Sequence, residues 1–132
     1  ALKMMREEGL DNIFLRHKKH KLAMSNAVKA LNLKLFADEK YLSPSITAIK
    51  TEGIDAEEFR KTIKNNFDIL LAGGQDHLKG KIFRVGHLGY VNDRDIITVV
   101  SAIGNTLISL GKISAQQAGE ALVIASKYLK ES

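Results

Sequence analysis

An α+β domain, with a small and mostly antiparallel sheet and its helices packed on one side, is the fold class this chain predicts. Three observations predict it. Strand-like stretches stand next to one another at 33–37 and 45–51, and again at 69–72 and 81–85, with no crossover helix inside either pair. Helical periodicity precedes, separates and follows those pairs. A length of 132 residues at 45% hydrophobic and 27% charged suits one ordinary core built without disulfide or metal staples.

The elements follow in order. Leu2, Met5 and Arg6 open a short helical pattern that Gly9 can end, and Asp11 is expected to N-cap a second helix with the stripe Ile13, His17, His20, Met24, Ala27 and Leu31. Asn32 ends it. Leu33 to Ala37 reads as a strand, and Ser43-Pro44 punctuates before the β-branched run Ser45 to Thr51. Asp55 with Glu58 three residues on resembles a capping box, and Phe59 and Ile63 give the next helix its buried face. Ile69 to Ala72 and Lys81 to Val85 read as a local antiparallel pair joined through Gly73-Gly74 and the loop Gln75 to Gly80. Asn92 with Asp95 starts a long helix whose stripe is Ile96, Val99, Val100, Ile103, Leu107 and Leu110, stopped by Gly111. Ser114 and Gln117 form a capping box for the last helix, with the stripe Ala118, Ala121, Leu122, Ala125, Tyr128 and Leu129. The whole chain, 1–132, reads as a single domain. Residues 1–31 are an N-terminal helical segment, 33–111 the α+β body and 112–132 the C-terminal helix.

Composition excludes several chemistries. Zero cysteines leave no thiol catalysis, no Cys-ligated zinc and no thiolate for an iron–sulfur cluster. The longest apolar stretch, near Ile96 to Leu110, is broken by Thr98, Ser101, Asn105, Thr106 and Ser109, so no membrane span is expected. The absence of cysteine and of an apolar signal core gives a cytoplasmic expectation. Residues 1–34 carry all of the +5 net charge, with eight Lys or Arg against three acids. The run Arg16-His17-Lys18-Lys19-His20-Lys21 has no interleaved aromatics, and the chain has no Trp. It reads as a solvated or docking face ahead of a nucleic-acid platform.

Arg84 is the residue set in the most telling place. Strand alternation puts it on one face with Ile82 and Gly86, while Lys81, Phe83 and Val85 face the other way. A guanidinium within Ile-Phe-Arg-Val-Gly requires an anion or water, and a carboxylate meets its planar fork with two parallel hydrogen bonds. Gly86 leaves room for a ligand. The other open reading is an arginine that snorkels to water or pairs with an internal acid such as Asp76. Gly73-Gly74 either approaches a ligand closely or merely turns the chain. His17 and His20 share a helical face without an evident third metal ligand, which favours core or interface histidines and no metal. His77 and His87 flank the strand that bears Arg84, and nothing pairs either with an activated serine.

The residues Leu71-Ala72-Gly73-Gly74-Gln75 followed by Leu78-Lys79-Gly80-Lys81-Ile82-Phe83-Arg84-Val85-Gly86-His87-Leu88-Gly89 closely resemble the C-terminal small domain of the alanine–glyoxylate/serine–pyruvate aminotransferases. These are class V pyridoxal-phosphate enzymes, some of them labelled soluble hydrogenase small subunit. Leu42-Ser43-Pro44-Ser45-Ile46-Thr47-Ala48, and Glu8 to Asn12 with Arg16-His17, resemble further family segments. The likeness runs over about residues 1–111, and 112–132 add nothing diagnostic to it.

The resemblance implies transamination between a small amino acid and a 2-oxo acid of the glyoxylate or pyruvate type. It implies that Arg84 binds the substrate α-carboxylate, with Gly73 and Gly74 near the substrate-facing edge. It also implies that the lysine holding pyridoxal 5'-phosphate, and most other cofactor contacts, lie in a large domain absent from this chain. No residue here is expected to be catalytic or to bind the cofactor, and Lys79 and Lys81 do not match the cofactor lysine. The chain alone is expected to be inactive, a fragment of a homodimeric enzyme. The competing expectation is a non-catalytic regulatory or carboxylate-binding α+β module.

Overall fold

The structure, a computed structural model, describes residues 9–36, 46–74, 76–86 and 92–130. Expectations that fall on 1–8, Ala37, Ser43-Pro44, Gln75 or His87 lie outside the described residues. The element order is α1 (Leu10–Ala30), β1 (Lys34–Leu35), β2 (Ile46–Lys50), α2 (Ala56–Phe67), β3 (Ala72–Gly73), a 3-10 turn (Asp76–Leu78), β4 (Ile82–Gly86), α3 (Asp93–Ser109) and α4 (Ala115–Lys130). The four strands form one sheet in the order β1-β2-β4-β3, every neighbour antiparallel. This is the α+β architecture that the strand pairs foretell.

The caps explain most helix boundaries. Asn92 accepts from the Asp95 amide at 3.0 Å while the Asp95 carboxylate accepts from the Asn92 amide at 2.9 Å, a complete reciprocal box. Asp55 accepts from the Glu57 amide at 2.9 Å, one residue before the amide of Glu58, which sequence spacing favoured. Three expectations need correction. Gly9, at φ 87°, is the N-cap of α1, so Asp11 sits inside the first turn. Ser114 accepts from the Gln117 amide at 3.1 Å, but the Gln117 side chain donates instead to the Ala30 carbonyl at 3.2 Å and ties α4 to the end of α1. Leu110 is 49% exposed, because the buried stripe of α3 ends at Leu107.

The third strand is shorter and later than Ile69 to Ala72. Asp68 takes a left-handed conformation at φ 56° after α2, and the chain pairs with β4 only from Ala72. That pairing is set by register, with Ala72 opposite Arg84 and Gly73 opposite Phe83.

Register also separates the two faces of the sheet. Thr47, Ile49, Phe83 and Val85 share the face under the helices, where Ile49, Phe83 and Val85 join Phe59, Ile63, Met24, Ile96, Ile103 and Leu129 in one core. Phe59 stacks on Phe83 with ring centroids 5.3 Å apart. Ala48, Ile82 and Arg84 share the opposite face, where Ala48 and Ile82 pack with Phe36, Ile46 and Leu78 in a smaller cluster. No helix among the described residues is long and apolar enough to cross a membrane.

Candidate functional site

Arg84 stands in the middle of β4, half-buried, on the face away from the helical core. Its Nε donates to the Gly73 carbonyl at 2.9 Å. Nε is the inner nitrogen of the guanidinium, so this bond sets the plane of the fork. Two residues along the same face, Gly86 is exposed, and a Cβ added there meets nothing within 4 Å. Asp76 was the internal acid considered for Arg84; its side chain lies outside the described residues, as does His87. His77 is exposed in the 3-10 turn.

Close packing against backbone requires Gly74, whereas Gly73 faces the ends of two long side chains. A Cβ on Gly73 would lie 2.6 Å from Glu57 Oε2 and 2.7 Å from Arg60 Nη2. A Cβ on Gly74 would strike the Leu78 backbone carbonyl and Ile82 Cγ1, the latter at 2.8 Å. Gly73 therefore lets α2 close onto β3, and its carbonyl on the other side reaches Arg84.

Sequence reasoning missed Glu57 and Arg60. Arg60 donates from Nη2 to Glu57 Oε1 at 2.8 Å, from Nε to Glu57 Oε2 at 3.2 Å and from Nη1 to the Leu71 carbonyl at 2.7 Å. Their spacing of three on a helix was visible as an ordinary ion pair. The Leu71 partner was not, because it depends on tertiary placement.

His20 is fully buried and shares its Nε2 with Asp93 Oδ1 at 3.0 Å, across the contact of α1 with α3. Burial lowers its pKa, and the bond and charge of Asp93 offset only part of that. Burial pushes the Asp93 carboxyl up, but the bonds from His20 and Lys19 outweigh it and hold the group low. No group of three His, Cys, Asp or Glu suited to a metal occurs among the described residues.

Clefts open at the surface of the described residues. One, of about 370 Å³, is lined by residues including Phe36, Lys50, Leu78, Lys81 and Ile82; another, of about 340 Å³, by Glu57, Arg60, Lys64, Leu70 and Leu71 among others. Neither includes Arg84. Pyridoxal phosphate needs an amine to hold it, an acid for its ring nitrogen and a cradle of donors for its phosphate. The described residues do not fit it by themselves. Lys21, whose pKa burial lowers, donates to the Ile46 carbonyl, and Lys79 and Lys81 are exposed.

This sheet and its helices have the architecture of the small domain of class V aminotransferases. No family model matches the chain. The chain is 33% identical over 135 residues to a serine–glyoxylate aminotransferase of Methylorubrum extorquens, matching 100% of this chain and 33% of that protein. It is 54% identical over 111 residues to a protein of Anabaena cylindrica named soluble hydrogenase 42 kDa subunit, covering 84% of this chain and 29% of the relative. The ureidoglycine–glyoxylate aminotransferase of Bacillus subtilis superposes at a TM-score of 0.84 with 30% identity, over 95% of this chain and 33% of that one. A pyridoxamine–pyruvate aminotransferase from Mesorhizobium loti superposes at 0.86 with 25% identity, over 97% and 33%.

The chain is thus a relative of the class V aminotransferases, and it spans about a third of the length of the curated relatives it matches. The match of the whole chain to the serine–glyoxylate enzyme carries the likeness past residue 111, so α4 belongs to it as well.

Proposed function

We propose that this chain is the C-terminal small domain of a pyridoxal-phosphate-dependent aminotransferase that moves an amino group from a small amino acid to a 2-oxo acid of the glyoxylate or pyruvate type. Arg84 binds the α-carboxylate, Gly73 supports it through its carbonyl, and Gly74 lets the backbone pass close beneath. The large domain of the same polypeptide supplies the cofactor site, and the cofactor supplies the electron sink. A homodimer and a cytoplasmic setting belong to the same reading. The observation that carries it is the Arg84 Nε bond to Gly73, which orients a guanidinium on the sheet face opposite the helical core. The relatives whose names give a substrate are glyoxylate and pyruvate aminotransferases, and that supports the substrate class.

In this role Arg84 holds the acid end of the donor, so that the bond to the α-hydrogen keeps one orientation relative to the reacting groups of the large domain. The hydrogenase name of one relative gains nothing from this chain, which brings no thiolate to a metal.

The test is to express the longer polypeptide that contains these residues and assay transfer from alanine or serine to glyoxylate. Turnover with the full polypeptide and none with residues 1–132 is the expected result. Carboxylate binding without turnover by the full polypeptide would replace the enzyme with a regulatory module.

A further inference from the structure

We infer that Glu57 and Arg60 are positioning residues for Arg84, acting on it through the backbone of β3. The inference rests on the reading of Arg84 as the carboxylate ligand and adds how its aim is fixed.

β3 is two residues long and, among the described residues, pairs with one strand only, β4. Two pairs of residues are a weak hold on an edge strand. Further anchorage comes from α2. Arg60 grips the Leu71 carbonyl at 2.7 Å, immediately before β3, and is itself held flat by two bonds to the Glu57 carboxylate at 2.8 and 3.2 Å. The same ion pair fills the place where a Gly73 side chain would stand, with Glu57 Oε2 and Arg60 Nη2 at 2.6 and 2.7 Å from that point. Gly73 is thus clamped on its α2 side, and its carbonyl receives Arg84 Nε at 2.9 Å. The contacts run from the helix surface to the guanidinium without a gap, each through a group that has a fixed geometry. A bidentate arginine pair gives direction as well as attraction, which a lysine at position 60 would not reproduce.

The side chains of Arg60 and Glu57 are 25% and 30% exposed, so replacing either opens no large core cavity. The expected loss is of aim. A displacement of the order of 1 Å at a substrate-holding group costs up to about 100-fold in rate.

The experiment uses the cofactor-loaded, full-length enzyme and two competitive inhibitors, a 2-hydroxy acid matched to the donor and its primary amide. Only the acid carries the carboxylate that Arg84 would grip. Arg60→Met is expected to weaken the acid by about 10-fold or more while leaving the amide within about 2-fold, with a rise in donor KM larger than the fall in kcat. Glu57→Gln is expected to move in the same direction by less, and Arg60→Lys to recover part of the loss. Thermal midpoints of each variant register any general loss of structure.

Equal weakening of acid and amide in Arg60→Met would reduce the ion pair to a structural brace and overturn the inference. So would unchanged acid binding in Arg60→Met beside weakened acid binding in Arg84→Lys. If Arg84→Lys itself keeps the acid over the amide at the wild-type ratio, the carboxylate reading falls, and the positioning role falls with it. Should Arg60→Met fail to fold, Glu57→Gln and Arg60→Lys carry the same comparison.

Discussion

His20 and Arg84 are both basic side chains drawn out of water, on opposite sides of the same sheet, and the two sides treat them differently. His20 lies in the helical layer at 0% exposure, where burial lowers its pKa and a neutral ring donating to Asp93 costs least. Arg84 lies half-buried on the face opposite the helical core. Its charge has to be met by oxygen, first the Gly73 carbonyl and, in the proposed enzyme, a substrate carboxylate. The helical side therefore stabilises by removing charge from the core, whereas the other side keeps a charge and aims it.

The largest expected effect breaks the helical side. Phe83 is 0% exposed and stacks on Phe59, so Phe83→Ala should cost about 3–5 kcal/mol in stability by denaturant titration. A loss under about 1 kcal/mol would mean that the core does not rest on this face. Arg84→Lys tests the other side one residue away. It should raise the amino-acid KM and lower kcat/KM by about 2–4 kcal/mol, because the charge stays and the fork is lost. Stability should hardly change. Wild-type kinetics would take Arg84 out of the site, and a stability loss like that of Phe83→Ala would erase the contrast between the faces.

A smaller effect is expected at Gly74, which packs on Leu78 and Ile82 of the smaller cluster. Gly74→Ala forces a methyl group onto the Leu78 carbonyl and Ile82, and backbone cannot step aside cheaply. The expected cost is about 1–3 kcal/mol in thermal or denaturant stability. An unchanged midpoint would show that the turn has slack.

Much of this was legible in the sequence because it depends on neighbours along the chain. The face of Arg84 follows from alternation within Ile82-Phe83-Arg84-Val85, and the starts of α2 and α3 follow from Asp55 and Asn92 with residues two or three further on. What stayed hidden is set by partners distant in sequence. The Ile69-Leu70 pair looks like a strand, yet Asp68 turns the chain and Leu70 ends 81% exposed. Gln117 abandons its own cap for Ala30, 87 residues away. His20 reads as an ordinary stripe residue until the fold brings Asp93 to it. The carboxylate reading of Arg84 needed the family resemblance as well, since alternation alone favoured solvent or an internal acid.

The smallest predicted effect sharpens the charge-shedding half of the comparison. The charged groups around His20 are Asp93 from α3 and, on its own helix, Lys19 and Arg16. In the fold its pKa lies below the ordinary value of 6.5, so under that pH the unfolded chain binds a proton that the folded chain resists. The unfolded state then holds more protons, and stability falls as pH drops from about 7 toward 5. Asp93, held below its ordinary 3.8, adds a loss of the same sign only at more acidic pH. His20→Gln keeps a donor for Asp93 and removes the titration. Its urea midpoint should therefore vary less between about pH 7 and pH 5 than that of the parent, whatever its offset at neutral pH. Parallel pH curves for the two proteins would mean that His20 carries the same proton folded and unfolded, and that the helical side does not work by shedding charge.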